Sequence, residues 1–503
     1  VNLAFHYVSL VLMVIQGIVL TPVYLRYVDP SLYGAWLATG NVIAWLSLID
    51  PGISKLLIQR IAFLEGSGRV LELPDSMRTG LVLGWGLSAA SLISWPLSRH
   101  VAALLPLASW QRVELADAVL LMLVATSILF LGSQPSGILL GLQKTGTVGM
   151  INTTGAVFAI FTSLVLITSG AGLSSIPAGF LVRNVVVFLG TTAALEHARS
   201  GRGLSPGRWS QAEGRRYMGL SALNYVERIA ATVVTQVDSF LGAKAVSPAA
   251  AAQLGLTGKP IEPVRMLAER FAAALGPGMA NLAGEGNSAK LREISHRILS
   301  ASAFSLAVGL GGIVALNGPF VSLWVGPELF GGQRLTMLLV LSATVSVLTS
   351  SLAEITFALG AIAQATLARV IEGIVKLTLQ IWLASRWGLE GIVAGGILAQ
   401  AATTAWYYPV LLARRGHVPA SLELRALVRR LGQTGVLLAS GWAFHLVWTQ
   451  LIPAWSWISF TLAAFVTSLP LLAIGLLAFP EIRREVLPFL RSVFARRAFP
   501  DHA

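Results

Sequence analysis

Residues 224–244 read NYVERIAATVVTQVDSFLGAK, and residues 250–273 read AAAQLGLTGKPIEPVRMLAERFAA. The flanks are long and apolar, so this stretch is expected inside a membrane. It nevertheless holds Glu227, Arg228, Asp238, Lys259, Glu262, Arg265, Glu269 and Arg270. A charge near the bilayer centre costs roughly 2.5–3.5 kcal/mol on insertion scales, which confines such residues to a bundle interior or a wet cavity. On a helical wheel, Asn224, Glu227, Arg228, Thr235 and Asp238 fall within an arc of roughly 100°. The pattern predicts a polar stripe on a helix that lines a transport pathway.

The rest of the composition supports a membrane setting. Of the 503 residues, 55% are hydrophobic and 12% charged, and the mean hydropathy is +0.73. Soluble domains carry about 25% charged residues, so an all-α polytopic membrane protein is expected. At about 20 apolar residues per span, the length accommodates roughly 12 to 14 helices. There is no cysteine, which excludes disulfides, thiolate metal sites and Cys nucleophiles. The formal charge of +13 is assigned to basic loops at the membrane surface, and no nucleic-acid partner is expected. Residues 1–24 lack a basic start and a small-residue cleavage site, and are expected to form a retained first helix.

About fourteen spans are expected, near 3–24, 33–63, 79–105, 116–142, 146–169, 173–195, 217–242, 249–279, 294–320, 334–358, 361–385, 389–413, 431–450 and 457–479. The longest polar connections, 196–216 and 414–430, are too small to fold as domains. In the second span, Asp50-Pro51-Gly52 predicts a kink or break. An acid at such a break binds a cation or proton, or it caps the second half-helix; both roles stay open. With the N-terminus inside, 22 of the 36 Lys and Arg residues fall in inner loops and the tail, six fall outside, and eight lie within spans. This bias predicts a multi-pass membrane protein with both termini cytoplasmic.

The eight bases within spans are Lys55, Arg183, Arg228, Lys259, Arg265, Arg270, Arg369 and Lys376. The acids well inside spans are Asp50, Glu227, Asp238, Glu262, Glu269, Glu354 and Glu372. Only Lys55 and Asp50 precede residue 180. Arg369, Glu372, Lys376 and Gln380 share one helix face and match the stripe at 224–238. Pro260 and Pro263 predict an interrupted helix beside a cavity. Two readings compete. The charges line a pathway, or they pair structurally, as Glu372 with Lys376 and Glu262/Arg265/Glu269 within one helix. A buried ion pair is often no better than an apolar pair of similar volume, which favours the pathway. Gly84-Trp-Gly86, Gly309-Leu-Gly-Gly312 and Gly391-Ile-Val-Ala-Gly-Gly-Ile397 lie within spans and predict close helix packing, not phosphate cradles. No nucleotide loop, metal-ligand cluster or hydrolase elbow is present, so no enzyme activity, metal or cofactor is expected.

Several stretches resemble the Wzx-like oligosaccharide flippases, the polysaccharide transport group of the multidrug/oligosaccharidyl-lipid/polysaccharide (MOP) exporter superfamily. They are Pro22-Val-Tyr-Leu-Arg-Tyr-Val-Asp-Pro-Ser-Leu-Tyr-Gly-Ala-Trp36, Leu46-Ser-Leu-Ile-Asp50-Pro-Gly52 and Pro135-Ser-Gly-Ile-Leu-Leu-Gly-Leu-Gln-Lys144. Val237-Asp-Ser-Phe-Leu-Gly242 and Phe320-Val-Ser-Leu-Trp-Val-Gly326 complete the set. Their order covers most of the first 330 residues; beyond that only topology supports the likeness.

The resemblance implies two six-helix lobes in a V, at 1–195 and 217–413, joined by a cytoplasmic loop at 196–216. A linker at 414–430, two further helices within 431–480 and a basic tail at 481–503 complete the expected layout. It also implies alternating access and a lipid-linked oligosaccharide moved from the cytoplasmic to the periplasmic leaflet for O-antigen, capsule or exopolysaccharide assembly. The expected setting is a monomer among membrane lipids, with a polysaccharide polymerase and chain-length proteins as partners. An undecaprenyl-diphosphate head is anionic, and Arg clamps phosphate bidentately while Lys acts as a point charge. The candidate substrate-binding residues are therefore Arg228, Arg265, Arg369 and Lys376, then Lys259, Arg270 and Arg183. Candidates for a coupling ion are Asp50, Asp238, Glu227 and Glu354. Rival readings are a lipid II flippase, a multidrug antiporter of the same superfamily and a membrane glycosyltransferase or polymerase.

Overall fold

A computed structural model describes residues 17–39, 47–50, 52–203, 207–269, 288–358, 361–415, 420–485 and 488. Among these residues there are helices and turns and no strand. The chain divides into two compact units, Val1–Ala252 and Gln253–Ala503.

In the first unit, α1 covers residues 17–27 and α2 is Pro30–Ala38. Asp29 starts α2: its Oδ1 accepts the backbone N–H groups of Ser31 and Leu32 at 2.9 and 3.1 Å, and Pro30 supplies a preset φ. The Tyr33-Gly34-Ala35-Trp36 sequence then buries Tyr33 and Trp36. Gly34 is required by a close approach, because a Cβ there would collide with the carbonyl of Pro248. There follow α3 (Ile53–Gly66), α4 (Leu73–Ile93), α5 (Leu97–Ala103), α6 (Ser109–Gly141), α7 (Thr145–Thr168), α8 (Ser175–Ser200) and α9 (Gln211–Leu241). The unit packs around α6, which contacts α3, α4 and α8. One core cluster joins Leu57 and Ile61 of α3 to Met77 of α4, Ile138 and Leu139 of α6, and Tyr217 of α9.

α10 (Pro248–Gly258) carries the chain into the second unit, where residues 261–269 form α11. Lys259 and Pro260 sit in the turn between them, the interruption expected from Pro260 and Pro263. Then come α12 (Ser288–Val325), α13 (Gln333–Ala358), α14 (Ile362–Ala402), α15 (Thr404–Arg415), α16 (Ala420–Leu451) and α17 (Trp457–Ala478). The core joins Leu306, Leu310 and Val314 of α12 to Val340 and Val347 of α13 and Leu438 of α16. Where α12 crosses α16, a Cβ on Gly441 would strike the Gly311 carbonyl, so the two backbones touch. The glycine clusters are mixed in role. Gly84 meets Gln134 and Phe130, and Gly309 meets Val264, whereas Gly86 and Gly312 have open space around them.

Among the described residues, seven helices are long and apolar enough to cross a membrane, or eight if the bent pair α4–α5 counts as one span. The other expected spans fall on α1, α3, α10–α11, α14–α15 and α16. These helices carry polar and charged side chains or run into residues outside the description, which lowers their apolar stretch below that of a plain lipid-facing span.

Candidate functional site

In the first unit the polar centre is the break before α3. Ser47–Ile49 form a 3-10 turn, Gly52 takes φ +94°, and the helix restarts at Ile53. Only glycine adopts that backbone conformation without strain. Asp50 is 9% exposed, and its Oδ1 accepts the N–H groups of Gly52 and Ile53, both at 2.9 Å. It thus caps the second half-helix, one of the two roles open from the sequence. Breaking a span also leaves carbonyls without a helical donor, which apolar surroundings penalise. Arg228 of α9 meets that need: its Nη1 donates to the Asp50 carbonyl oxygen at 3.2 Å. Beside the break, the buried Gln134 of α6 donates through Nε2 to Ser54 Oγ at 3.1 Å. Its Oε1 finds no hydrogen-bond partner among the described residues.

The remaining candidates of this unit are dispersed. Asp238 is half-buried in the last turn of α9 and has an interaction partner. Arg183 of α8 lays its stem over Gly155 of α7, and Lys55 is exposed on α3. Pro51 and the side chains of Asn224 and Glu227 lie outside the described residues.

In the second unit the polar line runs along α14. Glu372 is 4% exposed, Lys376 6% and Gln380 fully buried, with Arg369 half-buried one turn earlier. Gly388 (φ 56°, ψ −131°) bends α14 into a hairpin that folds residues 389–402 back along the same face. Three glycines make this possible. A Cβ on Gly391 would collide with the Leu383 carbonyl, one on Gly395 would lie 2.9 Å from Gln380 N, and one on Gly396 3.3 Å from Lys376 Cε. Gln380 Nε2 donates to the Ile392 carbonyl at 2.9 Å and ties the two arms together. The expected glycine packing at 391–397 is therefore what encloses the Lys376 stem. Arg369, Lys376 and Gln380 each have a further partner, and no ion pair joins Glu372 to Lys376 among the described residues.

The other charges of the second unit pair locally. Arg265 Nη2 meets Glu262 at 2.9 Å and its Nε lies 3.9 Å from Glu269, the intrahelical pairing weighed from the sequence. Lys259 is half-buried and Glu354 exposed, while Arg270 lies outside the described residues. Sequence reasoning also passed over Gln134, a single amide in an apolar span, and Arg60. Arg60 is buried midway along α3, where its Nε meets Glu213 Oε2 at 3.1 Å and its Nη2 meets Glu72 at 3.2 Å. Counted only as a loop charge, it is in fact the hub joining α3 to the start of α9.

No protein-family model matches the sequence, nor does any curated protein. Solved structures do share the fold. The lipid II flippase MurJ in an inward closed conformation superposes with a TM-score of 0.63 at 12% identity, over 94% of this chain and 98% of that one. An inward-facing multidrug resistance MATE family transporter of the MOP superfamily gives 0.61 at 16% identity, over 81% and 95%. A MOP superfamily transporter from Pyrococcus furiosus, whose binding pocket has a reverse polarity that suggests a different function, gives 0.58 at 16%, over 82% and 94%. The chain is an all-α polytopic membrane protein with the fold of the MurJ and MATE transporters.

Proposed function

We propose that this protein is a transporter that moves a polyprenyl-diphosphate-linked oligosaccharide across the bacterial inner membrane by alternating access, for assembly of a surface polysaccharide. The line of half-buried Arg369 and buried Glu372, Lys376 and Gln380 on α14 carries this reading. An apolar hairpin would have been easier to insert, so a lysine enclosed by glycine packing suggests a use beyond stability. A diphosphate fits that use: in the second unit Arg369 supplies a guanidinium fork and Lys376 a point charge, and in the first unit the candidate cation is Arg228. In this reading 1–195 and 217–413 are the lobes that alternate, and Lys259, Arg265, Arg270 and Arg183 are secondary contacts. The sugar chain passes to a polymerase and chain-length partners on the outer face.

Lipid II flipping is the second reading. It is favoured by the superposition on MurJ over 94% of this chain, against 81% for the multidrug transporter. Both substrates carry the same anionic diphosphate lipid, so one experiment separates them. Expression in a strain lacking its own oligosaccharide flippase should restore surface polysaccharide. Arg369→Ala and Arg228→Ala should abolish that restoration at normal protein levels. Rescue of a strain depleted of its lipid II flippase, without polysaccharide restoration, would assign the second reading. Full polysaccharide in both arginine variants would remove the cationic residues from the pathway.

A further inference from the structure

The second unit holds a cavity that the transport reading does not use. It has a volume of about 660 Å³ and lies between the start of α12, the start of α16 and the segment after α17. Six arginines line it: Arg292, Arg297, Arg425, Arg429, Arg430 and Arg484. The carboxylates are Glu293, Glu481 and Glu485, with Glu423 adjoining through its pair with Arg292 at 3.0 Å. Six arginines against four carboxylates leave two positive charges in surplus.

The surroundings of Glu423 and Glu481 favour their charged forms. Burial pushes Glu423 up, but the hydrogen bond and charge of His296 and then the Arg292 guanidinium outweigh it and hold the carboxyl below its ordinary range. Glu481 behaves likewise: burial raises it, and a hydrogen bond from its own backbone N–H, followed by the charges of Arg430 and Arg429, brings it down.

The guanidinium groups are incompletely used. Arg430 is 4% exposed; its Nη1 donates to Gln433 Oε1 at 2.8 Å, yet its contacts to Glu481 are long, at 3.4 and 3.5 Å, and its Nε has no hydrogen-bond partner among the described residues. A buried donor left unmade is costly, so a built site of this kind points to an acceptor that completes it. Arg425 and Arg484 are exposed at the rim and make no ion pair among the described residues. Several guanidiniums around one cavity suit a phosphate, which accepts from them bidentately.

Position selects the source of that phosphate. The candidate membrane span of α12 starts at Arg292 and that of α17 ends at Ala478, so the cavity lies at the edge of the membrane-crossing region. Leu422 of the lining is exposed, and farther along α16 and α17 so are Val428, Val436, Leu472 and Leu477. Charged head and apolar tails are therefore offered matching surfaces on the same helices. We propose that this cavity is a binding site for the phosphate headgroup of an anionic phospholipid. With the orientation expected from the arginine distribution, that lipid belongs to the cytoplasmic leaflet.

The test uses the purified full chain in nanodiscs of phosphatidylcholine with and without phosphatidylglycerol. Native mass spectrometry reads lipid retention and thermal unfolding reads stability. Wild type should retain phosphatidylglycerol selectively and unfold at a higher temperature in its presence. The double variant Arg425→Gln/Arg484→Gln removes exposed side chains, so it should fold normally and retain the lipid about tenfold less, a difference of about 1.4 kcal/mol. Arg430→Gln should have the same effect on retention. Equal retention by wild type and the double variant would overturn the proposal. Inorganic phosphate that stabilises the protein in detergent and displaces phosphatidylglycerol would reassign the site to a free anion and overturn the lipid assignment.

Discussion

Asp50 shows how one carboxylate at a helix break can serve geometry and chemistry from the same place. Its Oδ1 holds two backbone N–H groups of α3, and its carbonyl receives Arg228. Asparagine offers the same cap acceptor without the charge, whereas alanine offers none. If the cap is the whole of its role, Asp50→Asn retains transport and stability, and Asp50→Ala loses about 0.5–2 kcal/mol in a thermal or denaturant melt. Loss of transport in a stably folded Asp50→Asn protein would show instead that the carboxyl carries an ion. The break itself was legible, because Pro51 and Gly52 are local signals. That Arg228 answers it was not, since its wheel position gives a face but not the neighbour on that face. Gln134 was hidden for the same reason: one amide among apolar residues reveals nothing until Ser54 and Gly84 are seen around it.

At the scale of elements, glycine and ion pairing decide which helices meet. The α14 hairpin could be anticipated in part, since Gly391, Gly395 and Gly396 announce close packing. Their partners Leu383, Gln380 and Lys376 emerge only once Gly388 turns the helix back. The link of α3 to α9 through Arg60 was not legible, because Glu213 lies far along the chain and a basic residue at a span end reads as a loop charge. It gives a sharp expectation. Removing one partner of a buried pair strands the other charge and costs about 3–5 kcal/mol. Glu213→Ala should therefore lower the thermal midpoint in detergent clearly more than Glu72→Ala, whose carboxylate is 42% exposed and contributes weakly. Equal shifts would mean that Arg60 is not the hub of this junction.

For the whole molecule, hydropathy and the low charge content carried the all-α membrane fold, because every span must satisfy its own backbone in lipid. What they left open is how the buried charges of each unit are used. The orientation is tested with a periplasm-active reporter fused near Arg208, which the arginine distribution predicts to be silent; strong activity would invert the topology. The central claim, movement of an anionic diphosphate lipid past a cationic line, is tested most directly in proteoliposomes. A fluorescent undecaprenyl-diphosphate oligosaccharide is placed in one leaflet, and its appearance in the other is followed by a membrane-impermeant quencher. The account predicts protein-dependent translocation that falls by about tenfold or more in Lys376→Ala and Arg369→Ala, equivalent to at least about 1.4 kcal/mol of lost stabilisation. Translocation unchanged in both variants, or equally fast for a neutral-headed lipid, would contradict it.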